Sequence, residues 1–167
     1  VAPPFKGLDV SFTDHAIDAV EGEVVKMSTG TVIKVPKNAF VDENGVPVTG
    51  EVTIKYREFH DMASVLASGI TLSDPKDPNR VMQSAGMFEI RGEQNGKSLQ
   101  IANDKSIEVS MGSYVQGNDY DFFLLDQENC NWQKQGTAEA TSNTSKTQAL
   151  KELDNLPEGP RKPRKVN

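Results

Sequence analysis

Glu58, His60 and Asp61 fall within four consecutive residues. An imidazole beside carboxylates is what general acid–base catalysis or metal binding requires, so one expectation is a hydrolase or metal-dependent site around Glu58, His60 and Asp61. The cluster lacks companions. The chain has 2 His, the other being His15, and no glycine-flanked nucleophilic serine accompanies either. A second oxygen-rich stretch, Ser73 to Arg80, carries Asp74, Asp77 and Asn79, whose hard oxygens suit calcium. Its two Asp-Pro steps explain the same composition as an exposed loop. Asp42-Glu43-Asn44-Gly45 lacks the regular oxygen spacing and late bidentate Glu of a calcium loop, and reads as a turn. With 24 Asp/Glu, some carboxylate pair at glycosidase separation is inevitable in any fold, so none can be singled out. Tyr56, Tyr114, Tyr120 and Trp132 could stack a sugar ring, and they suit a core equally well. The preferred reading therefore assigns no catalytic or metal-ligating residue. It takes Asp74, Asp77, Asn79 and Trp132 as binding candidates and expects no cofactor, since phosphate-loop and dinucleotide glycine patterns are absent.

The elements that must position these residues read as short strands. Thr31-Val-Ile-Lys-Val35 is β-branched at four of five places and stops at Pro36, which has no amide hydrogen to donate. Asn44-Gly45 is the best local turn signal, and from Gly50 the chain alternates, with Val52, Ile54 and Tyr56 on one face and Thr53, Lys55 and Arg57 on the other. Thr31 to Phe59 thus reads as two strands framing a tight turn. Leu8, Val10 and Phe12 alternate as an earlier strand, Glu23 to Met27 gives another, and Ala16 to Val20 is an apolar patch. His60 to Ala67 is expected to be one or two helical turns or an irregular crossing, and Ile70 to Leu72 a return to strand. Gly86 to Arg91 points Phe88 and Ile90 inward, Asn95-Gly96 turns the chain, and Leu99 and Ile101 make the returning arm. Ile107, Val109 and Met111 alternate next. Tyr120 to Leu125 is apolar on both faces except for Asp121, which places it near the centre of a sheet, and Trp132 is expected to close the core. These patterns predict an all-β fold, an antiparallel β-sandwich of roughly 8–10 short strands with a short C-terminal helix or tail.

Residues 1–139 read as the sandwich domain and 140–167 as a polar linker or tail. A helix over 146–156 is expected there, opened by Ser145-Lys-Thr-Gln148 and carrying Ala149, Leu150, Leu153 and Leu156, before the basic, Pro-rich 158–165. Residues 140–167 contain six Lys/Arg and three Asp/Glu. Subtracting these from 18 and 24 leaves 12 and 21, or net −9, for residues 1–139. Such an acidic body repels phosphate backbones, which argues against a nucleic-acid partner. The single Cys130 excludes an internal disulfide and a cysteine-cluster zinc site. No run approaches the roughly 20 apolar residues that span a bilayer, and the start at Val1 suggests a processed product.

Gly30 to Gly50, followed by Val52 to Phe59 and Ser84-Ala-Gly-Met-Phe-Glu-Ile90, resembles the N-terminal domain of Bacteroidetes-type secreted or lipid-anchored surface proteins of uncharacterised function. The resemblance extends to Pro3-Pro-Phe-Lys-Gly-Leu-Asp9 and to Tyr120, Asp126 and Trp132, covering most of residues 1–135. More distantly, Gly30-Thr-Val-Ile-Lys-Val-Pro36, Phe88-Glu-Ile90, Asn95-Gly-Lys97 and Ser106-Ile-Glu-Val109 resemble the ZU-type β-sandwich domain of ankyrins and netrin receptors. The self-cleaving His-Phe-Ser step of some relatives of that domain does not occur here. The first resemblance implies a precursor exported to the cell envelope or surface, whose lipid-bearing cysteine is not in this chain. The functional expectation is a non-catalytic cell-surface module, structural or binding, with a protein or glycan ligand. It is expected to be one domain of a longer exported lipoprotein, monomeric, and to meet a membrane only through an anchor outside this chain.

Overall fold

The structure is a computed structural model, and it describes all residues except 1–2, 5–6, 78, 114–116, 118, 127–128, 130 and 156–167. Phe5, Pro78, Tyr114, Cys130, Leu156 and the basic segment 158–165, on which expectations were placed, lie outside the described residues. The chain runs β1 (Thr13–Asp18), β2 (Glu23–Lys26), β3 (Val32–Val35), β4 (Phe40–Val41), β5 (Glu51–Phe59), α1 (Met62–Ala67), β6 (Met87–Gln94), β7 (Lys97–Ser98), β8 (Gln100–Ile101), β9 (Glu108–Ser110), β10 (Asp119–Asp126), β11 (Asn131–Glu139) and α2 (Thr144–Asp154). The fold is all-β and antiparallel with a short C-terminal helix. Of the eleven strands described, three have two residues, which leaves eight longer ones, at the lower end of the expected range.

β5 is the axis. Flanked by β1 and β6 in the sheet β1-β5-β6-β7, it sends Val52, Ile54 and Tyr56 inward, each at most 2% exposed. They meet Val25, Ile33 and Val35 of the sheet β2-β3-β9, and Phe40 of the pair β4-β8, in one buried cluster. Each such side chain contributes about 1.5–3 kcal/mol by leaving water, so this inter-layer contact dominates the fold. The opposite face of β5 ends at Phe59, which joins Val65 of α1, Ile70 and Leu72 in a second buried cluster. Val10, Met87, Leu125 and Trp132 pack against that cluster from outside. Two turns have geometric reasons. Asn95 and Gly96 both have positive φ, 53° and 76°, as the tight β6–β7 hairpin needs. Gly22 has φ 65°, and a side chain there would collide with the Val35 carbonyl oxygen.

Several expectations are corrected. Thr31 to Phe59 is not a hairpin: β3 pairs with β2 and β9, β4 with β8, and β5 with β1 and β6. Asn44-Gly45 instead closes a small loop bridged at Val41 and Pro47. Strand pairing begins at Thr13, so the alternation of Leu8, Val10 and Phe12 is not a strand; Val10 and Phe12 meet the Arg57 side chain rather than a ladder, and Leu8 is exposed. Ile70 and Leu72 are buried without strand pairing, with Thr71 exposed between them; the isolated bridge Ser73–Val81 follows. β10 is not central: among the described residues it pairs with β11 alone, a strand the sequence reading missed, and Phe122 and Leu124 on one of its apolar faces are exposed. The α2 cap is Asn143, whose Oδ1 accepts the Lys146 N–H at 2.9 Å, not Ser145.

Candidate functional site

Alternation along β5 carries Glu58 and His60 to the same side as Tyr56, at the end of the main core. Their side chains are 7% and 17% exposed, and His60 Nε2 contacts Glu58 Oε2. Glu58 Oε1 accepts the Thr29 hydroxyl at 2.9 Å, tying the β2–β3 turn to the end of β5. The Tyr56 hydroxyl is buried nearby without a hydrogen bond of normal geometry. Burial, with the Glu58 charge added, pushes its phenol pKa well above the ordinary value, so Tyr56 is a neutral core group. Asp61 does not join them. It caps α1, its Oδ1 accepting the Ser64 N–H at 2.8 Å. The three residues therefore reduce to a Glu–His pair. A cavity of about 210 Å³, lined mainly by Phe40, Ile90, Leu99, Ile101 and Ile107, contains neither member of that pair.

The loop carboxylates are turned on their own backbone. Asp74 Oδ1 accepts the Lys76 N–H at 2.8 Å and Asp77 Oδ1 that of Asn79 at 3.0 Å, while Asp74 and Arg80 close the loop through Asp74 N–H to Arg80 C=O at 3.0 Å. These are Asx turns. Among the described residues, no three His, Cys, Asp or Glu side chains gather as metal ligands. Trp132 packs against the second cluster, half-buried, with its indole N–H donating to the Thr71 carbonyl at 2.7 Å. Tyr56 is in the main core, so it and Trp132 do not share a stacking platform.

The strongest constellation was missed by sequence reasoning, which put Arg57 with Thr53 and Lys55 on the face opposite Val52, Ile54 and Tyr56. Its guanidinium, 11% exposed, bonds Asp9 and Glu89 at 2.7 Å each and the Val10 carbonyl at 2.9 Å. It lies 4.4 Å from the Phe12 ring centre and 5.2 Å from that of Phe59. Ser68, after α1, donates its hydroxyl to the other Asp9 oxygen. Burial raises the Glu89 pKa, but bonds from Arg91 and Arg57 outweigh it and hold the carboxyl below its usual range. At Asp9 burial is likewise outweighed, by Ser68 and Arg57. The clamp fixes residues 9–12 over the sheet without strand pairing. The signal that could have found it was the placement of Asp9 and Phe12 in a stretch too short to pair.

The remaining surface is uneven. Leu8, Met62, Leu66, Val81, Phe122 and Leu124 are all exposed large apolar residues. All lie on or beside segments that meet the second cluster or the clamp. Compared with known proteins, the chain matches no family model, no curated protein and no solved structure.

Proposed function

We propose that the chain is a non-catalytic module of a cell-surface protein, structural or binding, that engages a protein or glycan. In this reading it is a monomeric domain of a longer exported lipoprotein, held at the cell envelope by an anchor outside this chain. What carries the reading is that the groups able to do chemistry are engaged in holding the fold together. Asp61 caps a helix, Asp74 and Asp77 close a loop, Arg57 clamps the N-terminal segment and Glu58 ties a turn. Large apolar side chains, by contrast, stand exposed at several places, Met62, Leu66, Val81, Phe122 and Leu124 among them. A second reading, hydrolytic or metal-dependent, rests on the contact of His60 with Glu58 beside the buried Tyr56 hydroxyl.

One comparison separates them. The chain and its Glu58→Gln and His60→Ala variants are tested on chromogenic ester, phosphate and glycoside substrates, on a glycan array and on immobilised polypeptides. The module reading expects saturable glycan or polypeptide binding retained in both variants, with no turnover above buffer. Turnover by the parent chain that both variants lose would overturn it in favour of the second reading.

A further inference from the structure

We infer that the free edge of β10, across Phe122 to Leu125, is a docking site for an extended segment of another polypeptide with an apolar centre and basic flanks, which would add as a strand. This rests on the module reading and names its partner class.

The inference comes from comparing the sheet edges. Edge strands invite pairing, and proteins protect them by shortness, charge, proline or bulges. β7 has two residues, β9 three and β2 four, with Glu23 and Lys26 at the ends of β2. β1 carries Asp14 and Asp18. The outer edge of β11 is broken by a bulge, since the register passes from Gly136 to Lys134 opposite Phe122 and Phe123, leaving Gln135 unmatched. β10 has none of these devices in its middle. Phe122-Phe-Leu-Leu125 contains no charge, proline or glycine, and among the described residues no strand pairs with its other edge. Leu125 packs inward on the second cluster, whereas Phe122 and Leu124 are 44% and 57% exposed on the opposite face. An added strand would meet main-chain donors and acceptors and apolar side chains together, the usual combination in strand addition.

Charge selects the occupant. β10 carries Asp121 and Asp126, and β11 carries Glu139 against Lys134, which is already bonded to Asp121 at 2.6 Å. A second copy would bring the same acidic ends together on a body that is already acidic. A segment flanked by Lys or Arg meets complementary charge instead.

The test is fluorescence anisotropy with a labelled peptide of sequence KKTVTVTKK, an analogue with its central threonine replaced by proline, and one with glutamates at both ends. The parent chain should bind the first saturably, and the other two about tenfold or more weaker. Phe122→Lys and Leu124→Lys, at exposed positions that leave the fold intact by circular dichroism, should weaken the first peptide similarly. Val46→Lys, an exposed position in the Asn44-Gly45 loop beside β4, should not. Hydrogen exchange should slow at residues 122–125 when peptide is added. No saturable binding, equal binding of the proline peptide, or protection confined to other segments would overturn the inference. So would a concentration-dependent dimer abolished by Phe122→Lys, which would make a second copy the occupant. None of these results touches the module reading, which stands or falls on turnover and its loss in the Glu58 and His60 variants.

Discussion

Arg57 gives the sharpest residue-level prediction. Removing it as Arg57→Met leaves Asp9, 31% exposed, without its cation, and Glu89, 15% exposed, with Arg91 alone. Breaking a fully buried pair costs about 3–5 kcal/mol, and the exposure of Asp9 reduces that to about 2 kcal/mol. The loss is measured by urea unfolding at pH 7. Both carboxyls have folded pKa values below their unfolded ones, so their contribution is present above the unfolded values near 4 and is lost as pH falls through the folded values. Arg57→Met should therefore also flatten the fall in stability between about pH 5 and pH 2, and an unchanged acid limb would contradict the clamp. His15 is the converse case. It lies opposite Ile54 with its Nε2 buried and unbonded, so His15→Leu should leave stability unchanged or raise it by about 1 kcal/mol. A loss exceeding 1 kcal/mol in thermal or urea unfolding would show that the imidazole contributes a bond.

At the scale of elements, periodicity was legible where one face is core. The alternation of Val52, Ile54 and Tyr56, the β6 faces and the Asn95-Gly96 hairpin all follow from it. Pairing partners were not legible, because Asn44-Gly45 signals a local reversal without saying whether the strands beside it pair. β10 shows a related limit: apolar residues on both faces mean a covered strand only when a second face is supplied, and here the ribbon has one. β11 pairs through Glu139, so the ribbon needs the chain to that residue, while every described α2 side chain is exposed. Truncation after Ala140 should leave the melting temperature of the body within about 2 °C, whereas ending the chain at Asn131 should remove Trp132 from the second cluster and lower it by several times that. Equal melting of both truncations would show that the ribbon adds nothing to the fold.

For the whole molecule, the candidate chemistry was legible as residue types but not as geometry. Glu58 and His60 do meet, because alternation puts them on one side of β5. Asp61 turns away because a helix begins there and its first amides need an acceptor, a demand that outcompetes any catalytic arrangement. Arg57 shows the reverse failure, since its partners come from Asp9 and Glu89, 48 and 32 residues away. The account rests on Glu58 being a tie and not a reactive group held at a cost to stability. Urea unfolding of Glu58→Gln tests this most directly. A structural tie to Thr29 and His60 predicts a loss of about 1–2 kcal/mol, since a charge-assisted bond is replaced by a neutral one. Removing a reactive group maintained for function commonly stabilises a protein, so a Glu58→Gln variant more stable than the parent chain would contradict the account.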